Sequence, residues 1–151
     1  MVSLRRFNKN DTVSYLEIAN DKSSYFPFGS CNNLQEAEYV INIYMYYEEI
    51  DAYAIIDNDI LIGVVYIENC KNIEKNTVLI SYFIGNKFQR RGYAIQALER
   101  IEQLLIENSQ IQKVGFEINP KNIPSIKTAT RFGAKFCKSG EQLDYYEKVI
   151  I

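Results

Sequence analysis

A strand, a helix and a second strand follow one another between Thr77 and Ile118, and this order constrains the fold more than any other feature of the chain. Thr77 to Ile84 (TVLISYFI) is an apolar run rich in β-branched and aromatic residues, the pattern of a strand. From Gly92 onward the apolar residues fall at Ala94, Ala97, Leu98, Ile101, Leu104 and Leu105, with polar residues between them. That is an amphipathic helix of 3.6-residue period. Lys113 to Ile118 is a short strand again. A helix between two strands returns the chain to the edge it left, so the two strands lie parallel, joined by a right-handed crossover.

The other strands come as hairpins. Tyr53 to Ile56 and Ile60 to Ile67 flank Asp57-Asn58-Asp59, a turn sequence, and Asn69 to Asn76 is a polar exit loop. Lys135 to Lys138 and Asp144 to Ile151 flank Ser139-Gly140-Glu141. Two helices precede the first hairpin. Asp11-Thr12-Val13-Ser14 opens a short one, with Val13, Leu16 and Ile18 or Ala19 expected inward. Asp21 to Cys31, which holds Pro27 and Gly29 among aromatics, is a loop. Asn33 then caps a helix with Glu36 at its third position, expected to run to about Glu49. Asn122-Ile123-Pro124-Ser125 opens the last helix and Gly133 suits its stop. The class is therefore α+β: a mixed, mostly antiparallel sheet of six to seven strands, about four flanking helices and one parallel crossover. The 151 residues contain no repeat, low-complexity tract or dividing linker, so residues 1–151 are expected to form a single domain.

Several function classes fall away on composition. The net charge of −2 gives no general attraction for nucleic acid, so any anion site must be local. No apolar stretch approaches membrane-helix length. Met1 to Asn10 carries Arg5, Arg6 and Lys9 with no apolar block behind them, so it is not a signal peptide. Cys31, Cys70 and Cys137 are odd in number and irregular in spacing, which argues for a reducing, cytoplasmic setting. There is no histidine. That removes Ser-His and Cys-His nucleophile pairs and, with no CxxC pair, any expectation of a metal. Acid–base work is left to carboxylates, tyrosines, lysines, held water or the substrate.

The junction Gln89-Arg90-Arg91-Gly92-Tyr93-Ala94 is where charge concentrates. A helix start has free N–H groups and a partial positive charge, and a loop wrapping into it can aim several N–H groups at one anion. Gly92 lets the backbone approach closely. Arg90 and Arg91 add charge that matches phosphate oxygens. A phosphate or pyrophosphate site is the chemical reading; an ordinary exposed turn is the alternative. The Lys-Ser/Thr ending of a P-loop and the glycines of a dinucleotide fingerprint are both missing.

Gln89 to Ala94 resembles the Gln/Arg-x-x-Gly-x-Gly/Ala signature of the GCN5-related N-acetyltransferases. The stretch ISYFIGNKFQRRGYAIQAL looks like their subgroup around the Rim-type ribosomal-protein and bacterial spermidine acetyltransferases. INPKNIPSIKTATRFGAKF is similar to the same subgroup's Asn-x-x-Ser block, with Asn122, Ser125 and Gly133 at the matching positions. Element order agrees over nearly the full chain. The departures are Phe132 and Ala134 around the glycine, Gln96 for a common glutamate, and Ser81 for a frequent glycine.

The resemblance implies a sheet whose central strands splay, with a bulge in the Thr77–Ile84 strand, and acetyl-CoA as co-substrate without a metal. Backbone N–H groups of Gln89, Arg90, Arg91, Gly92, Tyr93 and Ala94 would cradle its pyrophosphate. Phe83, Ile84 and Gly85 would bind the pantetheine arm as an added strand, with an N–H near Phe83 or Ile84 polarising the thioester oxygen. Asn122 would anchor the arm, and Ser125 would sit near the sulfur and protonate the thiolate; the plainer role of both is helix capping. An amine would attack directly, with no acyl-enzyme. Its base would be Glu117 through water, a tyrosine, or no single residue.

The acceptor is a primary amine of open identity: polyamine, peptide N-terminus, amino sugar or another small amine. Tyr25, Phe26, Phe28, Tyr39, Tyr44, Tyr46, Tyr47, Tyr145 and Tyr146, with Glu48, Glu49, Asp51, Glu141 and Asp144, make either an acidic aromatic cleft for a cation or an ordinary tyrosine-rich core. Two alternatives stand beside the enzyme. One is a non-catalytic acyl-CoA-binding or regulatory module on the same fold. The other is an RNA- or ribosome-binding domain using Lys87, Arg90, Arg91, Arg100 and Lys113, which the net acidity disfavours. An exposed final strand could pair across a homodimer.

Overall fold

Seven strands form one sheet in the order β1-β2-β3-β4-β5-β7-β6, in a computed structural model that describes residues 1–20, 30–68 and 74–151. The strands are β1 (Ser3–Arg5), β2 (Ile50–Asp57), β3 (Ile60–Glu68), β4 (Thr77–Ile84), β5 (Lys113–Ile118), β6 (Lys135–Ser139) and β7 (Asp144–Val149). The helices are α1 (Thr12–Ala19), α2 (Leu34–Tyr46), α3 (Tyr93–Asn108) and α4 (Ile123–Phe132). All neighbouring strands pair antiparallel except β4 and β5. The sheet lies between two helical layers. Phe7, Tyr15, Val40, Ile41 and Tyr44 bury one face with Ala52, Ala54, Val64, Tyr66 and Phe83. Ala97, Leu98, Ile101, Leu105, Ala129 and Phe132 bury the other with Ile67, Val78, Ile80, Val114 and Phe116.

The expected crossover is present, and its ladder is short. β4 pairs β5 only at Thr77↔Lys113, Val78↔Val114 and Leu79↔Gly115. β4 pairs β3 from Leu79 to Ile84. The far half of β4 therefore has a strand on one side and an opening on the other. The hairpin turn also forms as read, with Asn58 and Asp59 at φ 48° and 62°, the left-handed pair of a two-residue hairpin.

Some expectations are corrected. β1 was not anticipated; it is three residues long and pairs β2 at the sheet edge. The bulge expected in β4 is absent from its ladder with β3, and a register shift instead falls between β2 and β3, where Ile62 is the extra residue between Ile55↔Gly63 and Ile56↔Leu61. In α1 the inward residues are Tyr15, Ile18 and Ala19, while Val13 is 58% exposed. Asp11 does not cap α1. Its carboxylate accepts from Asn8 N at 2.8 Å and from both Arg5 terminal nitrogens at 2.9 and 2.7 Å. α2 stops at Tyr46 because Tyr47 is extended, at φ −76° and ψ 118°. The final strand is not an edge: β7 is covered by β5 and β6, and β6 carries the free edge. The loop expected over Asp21 to Cys31 falls mostly outside the described residues, as does most of the exit loop after β3.

Candidate functional site

The loop before α3 holds two left-handed residues, Arg90 at φ 64° and Gly92 at φ 79°. Glycine adopts that region freely, and arginine does so only at a cost. The consequence is a run of backbone donors turned outward. Among the described residues, no protein acceptor takes the N–H groups of Arg90, Arg91, Gly92, Tyr93, Ala94 and Ile95; the first engaged is Gln96 N, which reaches Gly92 O at 3.3 Å. A Cβ built on Gly92 would meet nothing within 4 Å, so the space before it is open. Arg90 and Arg91 form no ion pair with a described residue, and the Tyr93 hydroxyl donates to Asp57 Oδ2 at 2.8 Å. Unpaired donors, two guanidinium groups without an ion pair and the α3 dipole converge on one open spot, a fit to a phosphate group. Gln89 belongs to the loop's scaffold rather than to this run. Its N–H reaches Asn86 O at 3.3 Å and its side-chain amide donates to Ile84 O at 3.0 Å.

Strand parity decides which β4 groups face the opening. Gly85 N donates to Ile62 O at 2.8 Å, so Gly85 and Ile62 are a hydrogen-bonded pair. Such pairs alternate along an antiparallel ladder. Phe83 and Ser81 thus turn their backbone groups toward β3, and Ile84, Tyr82 and Ile80 turn theirs toward the opening. This bears on two of the expected contacts. Phe83 offers its backbone to β3 and its ring to the buried layer beside Tyr15, 6.1 Å away in an edge-on contact. Gly85 has both backbone groups engaged, its carbonyl accepting from Phe88 N at 2.8 Å, and a Cβ there would lie 2.9 Å from Ile18. Of the three, Ile84 is the residue at the opening.

Side chains alternate as well. Tyr82 points to the α3/α4 layer, where its hydroxyl lies 3.3 Å from Ser125 Oγ in the first turn of α4. Burial raises the Tyr82 phenol, and contacts with Ser125 and Thr128 oppose that shift only in part. Asn122 is the N-cap of α4, its Oδ1 accepting from Ser125 N at 3.3 Å. Ser81 points to the opposite face, and so does Glu117, since Val114, Phe116 and Ile118 bury into the α3/α4 core. Continuing the register Thr77↔Lys113 and Leu79↔Gly115 would set Ser81 level with Glu117 across the opening. Glu117 is exposed and makes no hydrogen bond or ion pair with a described residue. Tyr145 lies over Gly115 on the same face and donates to Glu147 Oε2 at 2.8 Å.

The other expected constellations disperse. Tyr44 is core, stacked on Phe7 at 4.8 Å, with its hydroxyl 2.9 Å from that of Tyr15. Tyr39, Tyr46 and Tyr47 are 69%, 66% and 51% exposed, and Tyr146 is buried in the α3/α4 core. Asp51 pairs with Arg6, and Glu49 accepts from Tyr47. Tyr25, Phe26 and Phe28 lie outside the described residues. The basic set does not assemble either: Lys113 Nζ is neutralised by Glu74 at 3.0 Å and Glu147 at 3.5 Å. The departures from the resembled pattern are absorbed by packing. Phe132 meets Phe116 edge-on at 6.0 Å, Ala134 is buried, and Gln96 Oε1 accepts from Val2 N at 3.0 Å to tie β1's neighbour to α3. Tyr82 was missed as a site residue. Its signal was present, a phenol in an apolar strand just ahead of the charged loop.

The sequence profile of the acetyltransferase (GNAT) domain matches residues 2–135. No sequence match is found among curated proteins. Solved structures share the fold. A proposed ribosomal-protein-serine acetyltransferase from Vibrio cholerae superposes with a TM-score of 0.82 at 20% identity, covering 98% of this chain and 93% of that one. The microcin C7 self-immunity acetyltransferase MccE, in complex with acetyl-CoA and AMP, gives 0.81 at 20% identity over 98% and 92%. The aminoglycoside acetyltransferase AAC(6')-Ib, in complex with coenzyme A, gives 0.81 at 16% identity over 99% and 95%.

Proposed function

This chain belongs to the acetyltransferase (GNAT) family, and on that footing we propose that it moves an acetyl group from acetyl-CoA directly to a primary amine. Acetyl-CoA supplies the acetyl group as an activated thioester. The observation that carries the reading is the run of six unpartnered N–H groups, Arg90 to Ile95, at the mouth of the β4/β5 opening. These donors, with the guanidinium groups of Arg90 and Arg91, hold the pyrophosphate. Ile84 and Tyr82 offer backbone groups to the pantetheine arm as to an added strand, and their N–H groups face the thioester oxygen. Asn122 fixes the first turn of α4, so Ser125 Oγ keeps its distance from Tyr82. Ser125 returns a proton to the departing sulfur, with the Tyr82 phenol behind it as a second donor.

The acceptor enters from the α1/α2 face. Glu117 gives that approach a free negative charge that draws an ammonium ion, and the Tyr145 ring is its wall. Polyamines, aminoglycosides and peptide N-termini all carry such a cation, and the structural neighbours include an aminoglycoside acetyltransferase and a spermidine N-acetyltransferase.

Thermal unfolding with and without acetyl-CoA, with adenosine diphosphate as control, tests the reading. At a hundredfold excess over Kd, linkage stabilises by about 2.7 kcal/mol, roughly 5–10 °C in Tm for this size. Thiol release with an amine panel then separates an enzyme from a binding module. No shift at millimolar acetyl-CoA refutes the proposal.

A further inference from the structure

On the acetyltransferase reading, the pyrophosphate sits on a turn that has little of its own to hold it. From Arg90 to Ile95 no backbone N–H meets a protein acceptor among the described residues, and Arg90 is kept in the left-handed region at a cost. The order of such a run depends on what fixes its two ends. The strand end is fixed by Gln89, whose side-chain amide donates to Ile84 O at 3.0 Å on β4. The helix end is fixed by Tyr93, the first residue of α3, whose hydroxyl donates to Asp57 Oδ2 at 2.8 Å.

Asp57 is a firm place to anchor. It closes β2, pairs with Ile60 across the hairpin and precedes the left-handed pair Asn58 and Asp59. Its side chain is largely buried, at 17% exposure. In the sheet order β2 lies two strands from β4, roughly 10 Å away. The two ends of the turn are thus tied to different strands, with β3 between them. Gln96 continues the tie one turn further into α3, its Oε1 accepting from Val2 N at 3.0 Å. The Tyr93 ring packs on the α3/α4 core. The bond to Asp57 raises the Tyr93 phenol, so at neutral pH the group keeps the proton it donates.

We propose that Asp57 is a positioning residue for acetyl-CoA. Through Tyr93 it sets the first turn of α3, and with it the direction of the N–H groups that meet the pyrophosphate. It acts through Tyr93 and not on the cofactor. The role needs an acceptor oxygen at a fixed place, whereas the carboxylate charge only repels a phosphate. Asparagine keeps the oxygen and drops the charge; alanine drops both. Asp57 Oδ1 also lies 3.7 Å from the Met1 nitrogen. Both replacements remove that charge pairing, so the difference between them reads the bond to Tyr93.

Two measurements test the anchor. The first needs no cofactor. Gln96 N reaches Gly92 O in the first hydrogen bond of α3. Deuterium exchange of that amide in the free protein, followed by NMR, should quicken about tenfold in Tyr93→Phe and in Asp57→Ala, and stay near the wild-type rate in Asp57→Asn. Unchanged exchange in both Tyr93→Phe and Asp57→Ala overturns the positioning role whatever the affinities. The second is titration calorimetry with acetyl-CoA. Tyr93→Phe and Asp57→Ala should each bind about tenfold more weakly, the scale of one hydrogen bond to a charged acceptor. The double variant should be no weaker than either single one, and Asp57→Asn should bind at least as tightly as wild type. In thiol release, with whichever of spermidine, kanamycin or a peptide N-terminus the wild type accepts, Asp57→Ala should raise the KM for acetyl-CoA about tenfold and leave kcat within about twofold. Losses that add in full, or an Asp57→Asn as weak as Asp57→Ala, overturn the anchor and spare the acetyltransferase reading. A wild type with no affinity for acetyl-CoA overturns that reading and the ligand named here with it.

Discussion

Gly92 allows strain and charge to be separated in one experiment. Its φ of 79° favours glycine, but asparagine and aspartate tolerate the left-handed region better than other residues, at a cost of about 1 kcal/mol. Nothing lies within 4 Å of a Cβ at this position, so neither replacement collides with the protein. Gly92→Asn and Gly92→Asp have nearly the same shape and differ by one charge at the start of α3. In the free protein that charge is favourable: an anion at a helix N-terminus gains about 0.3–1 kcal/mol. In the complex it faces the pyrophosphate. Taking about 6 Å and an effective dielectric near 20, repulsion is roughly 3 kcal/mol per phosphate charge before salt screening.

After screening, a net penalty of about 3 kcal/mol is a reasonable scale, which is about 100-fold in Kd. Gly92→Asp should therefore unfold at a slightly higher temperature than Gly92→Asn without ligand, yet bind acetyl-CoA about 100-fold more weakly. Titration calorimetry at 0.05 and 1 M salt, with melting curves of the free proteins, measures both. At 1 M salt the Debye length shrinks to about 3 Å and the affinity gap should fall to a few-fold. Equal affinities for the two variants at low salt would remove the pyrophosphate from this loop. A weaker Gly92→Asp that is also the less stable free protein would show a folding defect rather than electrostatics.

Three further outcomes follow from the geometry. Burial alone would raise the Asp11 carboxyl, but Arg5 and the Asn8 N–H outweigh it and hold the group below its ordinary 3.8. Its contribution is thus complete above that value and drains as pH falls through the lower folded value; urea unfolding should show Asp11→Asn about 1.5–3 kcal/mol less stable at pH 7, with the gap closing toward pH 2. A Cβ on Gly63 would sit 2.3 Å from the Phe83 carbonyl oxygen, so Gly63→Ala must open the β3–β4 ladder, and a loss of roughly 2–4 kcal/mol is expected in the same assay. Ser125→Ala should lower kcat roughly 10–100-fold with acetyl-CoA affinity kept, and adding Tyr82→Phe should cost less than the two single losses combined, because both hydroxyls serve one proton; an unchanged kcat in Ser125→Ala would take α4 out of the chemistry.

The parts of the fold legible in the sequence were those whose period is strong. Thr77–Ile84 and Lys113–Ile118 end where the apolar runs end, and α3 begins one residue after its glycine. β1 was invisible because three residues with a single half-buried leucine carry no alternation. The face of α1 was misread because eight residues make barely two turns, so Val13 and Tyr15 compete for the inward position; the aromatic pocket of Phe7, Tyr44 and Phe83 decides for Tyr15. At the site, the loop and Ser125 were legible as residue types at a spacing. Which of Phe83 and Ile84 meets the opening was not, because backbone parity depends on the register against β3.

The same parity sorts the hydroxyls of β4 between the two faces of the sheet. An acyl transfer has two protons to manage, one leaving the amine and one returning to the sulfur, and they must not exchange directly. Adjacent residues on a strand point to opposite faces. Ser81 and Tyr82 therefore send their hydroxyls to different layers, one to the α1/α2 face and the other toward Ser125. A one-residue slip in β4 would turn Ser81 into the α3/α4 core and Tyr82 onto the α1/α2 face. Two contacts resist that slip from outside the strand's own ladder: Gln89 holds the Ile84 carbonyl, and the closeness of Gly85 to Ile18 leaves no room for a side chain. The residues after β4 thus pin its register.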